Sequence, residues 1–150
     1  KGQTKDVKAW FPGAQNRVFF HTGTATFPEY WPALKNMAMD IAIAPLLDDE
    51  FNRGKSHIKW MEMAMHMTPV VASKVYPYVE PVSDTPVIEN EKTGYLAETD
   101  EDWVKYLSLL IEDKHQRSVI AQNAYQAVKN NWQYEQHIHK LKDIIDQYLS

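Results

Sequence analysis

The sequence predicts an α/β fold built on a doubly wound parallel sheet, and three observations predict it. Two short apolar runs, residues 40–46 (DIAIAPL) and 68–73 (TPVVAS), lack the polar alternation of a half-exposed strand, as expected of strands covered on both faces. Segments with helically spaced apolar residues lie between and after them. Strands alternating with helices call for crossover connections, and therefore for parallel pairing. With 150 residues, 44% of them hydrophobic, the chain has enough apolar material for one ordinary core, so a single domain over 1–150 is expected.

Taken in order, residues 1–16 are polar apart from Trp10 and Phe11, carry a Pro12-Gly13 turn, and are weakly structured or helical. Residues 17–22 (RVFFHT) read as a strand closed by Gly23. Residues 27–38 read as a helix with Tyr30, Leu34 and Met37 on one face and Pro28 in the first turn. The strand at 40–46 is followed by a polar loop (LDDEFNRG), a helix over 56–67 and the second buried strand at 68–73. Residues 86–89 and 95–97 read as short extended pieces around a Thr93-Gly94 turn. Thr99 and Asp102 form a capping box that starts a helix with Trp103, Tyr106, Leu107, Leu110 and Ile111 on one face. Two more helices run through Ile120, Ala124, Ala127 and Val128, and through Ile138, Leu141, Ile144, Ile145 and Leu149. There is no internal repeat.

Sixteen basic against twenty acidic residues leave a net charge of −4, which gives no general electrostatic reason to expect nucleic acid or an anionic membrane as partner. Any phosphate binding must be local. The absence of cysteine excludes disulfides and thiolate metal sites and fits a reducing compartment, so a cytoplasmic location is expected. No apolar run is long enough to span a bilayer, and residues 1–8 lack the apolar core of a secretion signal. The chain starts at Lys1, partway into a fold, so upstream residues are expected to be missing.

In an open parallel sheet, ligands collect outside the carboxyl ends of the strands. The loop after Leu46 is therefore the leading candidate. It delivers Asn52, Arg53, Gly54, Lys55 and Ser56 to the start of a helix, where backbone N–H groups, a positive helix end and cations meet. That combination suits a diphosphate. The plain alternative is a solvated loop with Ser56 as the helix N-cap. Along the helix, Ile58, Met61 and Met65 are expected to form the buried stripe, with Lys55, Lys59 and Glu62 on another face. Lys59 and Glu62 could be a bland surface pair worth roughly 0.2–0.5 kcal/mol, or a phosphate-facing cation beside a carboxylate that accepts from two ribose hydroxyls.

Other constellations carry less. His137 and His139, two apart on a helix, point to different faces, and His57 and His66 have no carboxylate arranged with them, so no metal site is assigned. Asp48, Asp49 and Glu50 read as solvent-facing, and the methionines of 61–67 as core filler. Neither a Walker loop nor a dinucleotide-binding glycine fingerprint is present. Tyr76 and Tyr78 follow a strand end; either packs or lines a cleft.

The segment FNRGKSHIKWMEMAMHMTPVVAS, preceded by DIAIAPL, resembles the donor-site segment of retaining GT-B glycosyltransferases of the family 4, or group 1, type. A looser likeness runs from Val18 to Trp132 and takes in PVIENEKTGYLAET. The resemblance implies a Rossmann-like domain that is the C-terminal, donor-binding half of a GT-B fold, lacking its first strands and its N-terminal acceptor domain. That other half would also supply any peripheral membrane association. Of the family's paired glutamates, with seven residues between them, the second matches Glu62 and the first falls on Gly54, so the sugar contacts must be made differently. The chain looks more like a subgroup whose pattern is matched by Lys55, Ser56, Lys59 and Glu62.

Carried over, Lys59 and Arg53 take the catalytic role of offsetting charge on the leaving diphosphate. Lys55, Ser56, Glu62, Asn52 and Gly54, with Thr22 and Gly23 near the base, hold the donor, a UDP-, GDP- or ADP-sugar. The implied activity is retaining transfer of a hexose from that donor to a glycan or lipid, in polysaccharide biosynthesis, with no cofactor or metal required. Two readings stand beside it: a non-catalytic α/β interaction module, and half of a GT-B sugar epimerase or phosphorylase.

Overall fold

The computed structural model describes residues 12–13, 17–19, 26–82 and 84–149. Thr22 and Gly23, and the second half of the expected strand at 17–22, lie outside the described residues; Arg17, Val18 and Phe19 are not in a strand. The chain falls into two compact units, Lys1–Met37 and Ala38–Ser150.

In the first unit, helix α1 spans Phe27–Asn36. Thr26 stands before it with extended backbone, its N–H donating to the Glu29 carboxylate at 3.2 Å, and proline occupies the first turn, where no N–H is needed. The helix ends two residues before the expected limit.

The second unit holds β1 (Ala42–Ala44), α2 (Glu50–Arg53), α3 (Ile58–Met65), β2 (Val70–Ser73), α4 (Tyr76–Val79), β3 (Tyr95–Ala97), α5 (Asp100–Glu112), α6 (Lys114–Asn131) and α7 (Tyr134–Leu149). The sheet order is β1-β2-β3, all parallel, with Ala42 opposite Val70 and Val71 opposite Tyr95. β2 and β3 are buried at every residue, as doubly covered strands should be. β1 is not. Ile43 is 56% exposed while Ala42 and Ala44, on the opposite face, are buried, so one face of β1, which is shorter than the expected 40–46 and an edge strand among the described residues, is open.

The core gathers Val71, Tyr95, Ala97, Tyr106, Leu110 and Ile120, with the Tyr95 and Tyr106 rings stacked at 4.7 Å. The Tyr95 hydroxyl accepts from Gln116 at 2.9 Å, so the buried phenol keeps a partner. α5 starts at the expected box, Thr99 Oγ1 accepting from Asp102 N–H at 3.2 Å. Its buried residues are Tyr106 and Leu110, with Trp103 and Leu107 partly covered, whereas Ile111 is exposed, contrary to the sequence reading. α6 lays Ile120, Ala121, Ala124 and Val128 against α3 and α5. On α7, Ile138, Leu141, Ile144 and Ile145 are exposed.

α3 corrects the sequence reading most. Its buried residues are Trp60, Met63 and Ala64, while the expected stripe members Ile58 and Met65 are exposed. Apart from the side marked by Lys59 and Glu62 the helix is apolar, so the buried face is chosen by what it meets. Trp60, fully buried, donates from Nε1 to the Thr93 carbonyl at 2.9 Å. Gly94, next along, is tightly enclosed: a Cβ there would lie 3.2 Å from the Val70 carbonyl oxygen and 3.1 Å from Ile88, so a side chain would require these neighbours to give by a few tenths of an ångström. The helix closes with Thr68 N–H donating to the Met63 carbonyl and Met67 N–H to Ala64, which puts Met67 in the left-handed region at φ 56°.

Candidate functional site

The site is built where β1 ends. The chain leaves β1 through Pro45, and the Leu46 N–H donates to Ser73 Oγ at the end of β2, 2.9 Å away, which ties the loop to the neighbouring strand. The expected polar loop contains a short helix, α2. Asp49 caps it, accepting from Asn52 N–H at 2.7 Å, and Gly54 terminates it. Lys55 and Ser56 then lead into α3. Ser56 is not the N-cap; that position falls to His57, whose side chain makes no capping bond, and the helix begins two residues later than expected.

A cleft of about 400 Å³ opens here, within the range of small-molecule sites. Its apolar floor comes from residues 43–46 and Ile58. Its polar wall comes from Lys55, Ser56 and Lys59, and the buried Tyr78 of α4 closes one side. Exposed Ile43 is therefore part of a ligand-sized concavity. Lys55 reaches over the Phe51 ring, 4.9 Å from its centroid, a cation–π contact that steadies the ammonium. Lys59 donates to Glu62 at 3.3 Å. The Glu62 side chain is only 13% exposed against 49% for Lys59, so the carboxylate sits back along the helix and the ammonium stands forward. Burial pushes the Tyr78 phenol above its ordinary value, with Lys59 pulling the other way.

The structure thus brings Lys55, Ser56 and Lys59 together in one cleft. Glu62 does not line it but touches it through Lys59. Arg53 does not line it either: its guanidinium grips Asp48 at 3.0 and 3.2 Å on an exposed loop, which holds the Asp48 carboxyl below its ordinary value. Asn52 is buried within α2. Gly54 has φ −78°, an ordinary helical value, and a Cβ there would meet only the Phe51 carbonyl oxygen at 3.5 Å. Asp48, Asp49 and Glu50 are exposed, as expected. Of the two tyrosines, Tyr78 lines the cleft and Tyr76 faces solvent. The apolar floor escaped sequence reading because nothing local marks Ile43 or Leu46 as accessible.

His57, just before α3, is half-buried with its ring 4.5 Å from Trp132. Burial depresses its pKa below the ordinary 6.5. Above pH 6.5 the folded and unfolded states both hold it neutral; as pH falls through that value the unfolded chain takes the proton first, so stability is lost until the folded pKa is passed. The melting temperature is expected to fall on acidification below pH 6.5, and His57→Gln should flatten that part of the profile. An unchanged slope in the variant would assign the acid sensitivity to other groups.

Among the described residues, no group of three or more histidine, aspartate or glutamate side chains could hold a metal ion, and no helix is long and apolar enough to cross a membrane.

No family model matches the chain, and no curated protein matches it significantly. Among solved structures it is similar to the C-terminal domain of a glycosyl transferase group 1 family protein (LpcC) from Francisella tularensis, with 23% identity over 78% of this chain and a TM-score of 0.55. The chain spans about half of that structure, 53% of its length. Three parallel strands flanked by helices, superposable on that domain, give this chain the Rossmann-like α/β fold of a GT-B C-terminal domain.

Proposed function

We propose that the chain is the donor-binding domain of a glycosyltransferase and that its cleft takes the diphosphate of a nucleoside diphosphate sugar. The observation that carries this is the convergence of Lys55, Ser56 and Lys59 at the start of α3, in a ligand-sized cleft outside the carboxyl end of β1. Two cations and a helix N-terminus favour an anion there despite the chain's net negative charge. The likeness to a group 1 glycosyltransferase domain supports the same reading at the level of fold.

The chemistry follows from charge. When the bond between the anomeric carbon and the diphosphate oxygen breaks, its electron pair stays on the phosphate, and the acceptor hydroxyl forms the new bond and releases its proton. Negative charge on the diphosphate is therefore greater in the transition state than in the ground state. Ammonium groups fixed beforehand stabilise the former more. Lys59 is the group proposed to act this way, with Glu62 setting its position; Lys55 and Ser56 hold the phosphates, and Glu62 would have to turn from Lys59 to take the ribose. Arg53 would have to leave Asp48 to take part. Transfer itself, to a glycan or lipid acceptor, belongs to a larger protein that includes an acceptor domain.

Calorimetric titration of the 150-residue chain with UDP, GDP and ADP tests the reading. One of the three is expected to bind, with affinity falling as salt rises, because the contacts are between charges near solvent. Absence of binding by all three would remove the donor assignment.

A further inference from the structure

Tyr78 stands apart from the cations of the cleft: it is only 3% exposed, and it ends in a polar atom. Its hydroxyl makes no hydrogen bond among the described residues, yet it is not sealed inside the protein, so its access is to the cleft that the side chain lines. A polar group carried into the interior costs free energy unless a partner meets it. We infer that Tyr78 is a ligand-binding residue of this cleft, its hydroxyl donating a hydrogen bond to the phosphate oxygen that Lys59 also faces. The inference rests on the donor reading above and adds to it a neutral group from another element.

The fold holds this side chain in place. α4 is a single turn, with the Tyr78 N–H donating to the Val75 carbonyl at 2.9 Å and the Tyr78 carbonyl accepting from the Ile88 N–H at 3.2 Å. Buried Pro77 stiffens the turn, and α4 packs on α2, the helix that runs into Lys55 and Ser56. The phenol is thus fixed before any ligand arrives, and little side-chain freedom is lost on binding. Its chemistry decides what it meets. The Lys59 charge acts on the phenol, but an ammonium group only donates and cannot take the phenol's proton. Burial outweighs Lys59 and raises the phenol's pKa, so the hydroxyl keeps its proton at neutral pH. An anion oxygen suits both groups, taking one hydrogen bond from the ammonium and one from the phenol. A sugar hydroxyl would suit the phenol alone and leave Lys59 unused.

The test is calorimetric titration of the 150-residue chain and its Tyr78→Phe variant with UDP, GDP and ADP, their nucleosides and inorganic pyrophosphate. Phenylalanine fills the same space and keeps both backbone bonds, so only the hydroxyl is removed. Whichever nucleoside diphosphate the parent binds, the variant is expected to bind about tenfold more weakly, equivalent to about 1.4 kcal/mol. Pyrophosphate should lose the same factor and the nucleoside none, because the lost contact is with phosphate. A second measurement uses tyrosine labelled with carbon-13 at Cζ. The NMR signal missing from the variant is that of Tyr78, and in the parent it should shift with the diphosphate but not with the nucleoside. Parent-like diphosphate binding by the variant, a Tyr78 signal that stays still, or a loss as large for the nucleoside as for the diphosphate overturns the inference and leaves the donor reading standing. Binding of none of the three diphosphates by the parent sinks the donor reading itself, and this inference with it.

Discussion

A chain carrying Lys55→Ala and Lys59→Ala together is expected to bind the preferred nucleoside diphosphate about a hundredfold more weakly than the parent, while keeping its fold. Both side chains line the same cleft, and both are exposed enough that neither supports the core. A hydrogen bond to a charged group contributes roughly 1.5–3 kcal/mol, and two at the lower end amount to about 3 kcal/mol, a little over a hundredfold in affinity. The corresponding nucleoside, without phosphates, should bind both proteins equally. Glu62→Ala should weaken nucleotide binding too, since it removes the partner that positions the Lys59 ammonium. Parent-like affinity in the double variant, measured by titration with circular dichroism confirming the fold, would show that the anion site is elsewhere.

The second large effect concerns stability. Trp60→Ala should destabilise the chain by about 3–5 kcal/mol, since it empties the space of a fully buried indole. The same change leaves the Thr93 carbonyl without its indole donor, 33 residues away in sequence. Against a typical total of about 5–15 kcal/mol, this is at least about a fifth of what holds a domain together. Trp60→Phe retains most of the volume and loses the hydrogen bond, so it should cost less. Urea denaturation followed by circular dichroism separates the two variants, and a loss below about 1 kcal/mol for Trp60→Ala would contradict the role assigned to this side chain.

What the sequence made legible follows from range. β2 and the start of α5 depend on neighbours a few residues apart, VVAS and the Thr99–Asp102 box, and both form as read. The cluster of Lys55, Ser56 and Lys59 is equally local, and the structure puts these residues in one cleft. The buried face of α3 was read wrongly, because Ile58, Trp60, Met61, Met63 and Met65 cover every side except the one marked by Lys59 and Glu62, and more than one apolar stripe can be drawn away from it. Thr93 and α6, both distant in sequence, select Trp60 and Met63. The edge position of β1 and the exposure of Ile43 depend on strand order, which no window along the chain contains. Arg53 was misleading for a related reason: five residues separate it from Asp48, and only the turn through α2 shows that the two meet.

Gly54 has a consequence for redesign. Its backbone is in a conformation open to any L-amino acid, and the space beyond its Cα is nearly empty. Glycine at such a place leaves the unfolded chain with freedom that a larger residue would restrict. A carboxylate grafted there would stand eight positions before Glu62, one residue ahead of Lys55, without asking the surrounding backbone to move. The fold thus keeps a ready attachment point for a new acidic group on the residue just before Lys55 of the cationic cleft.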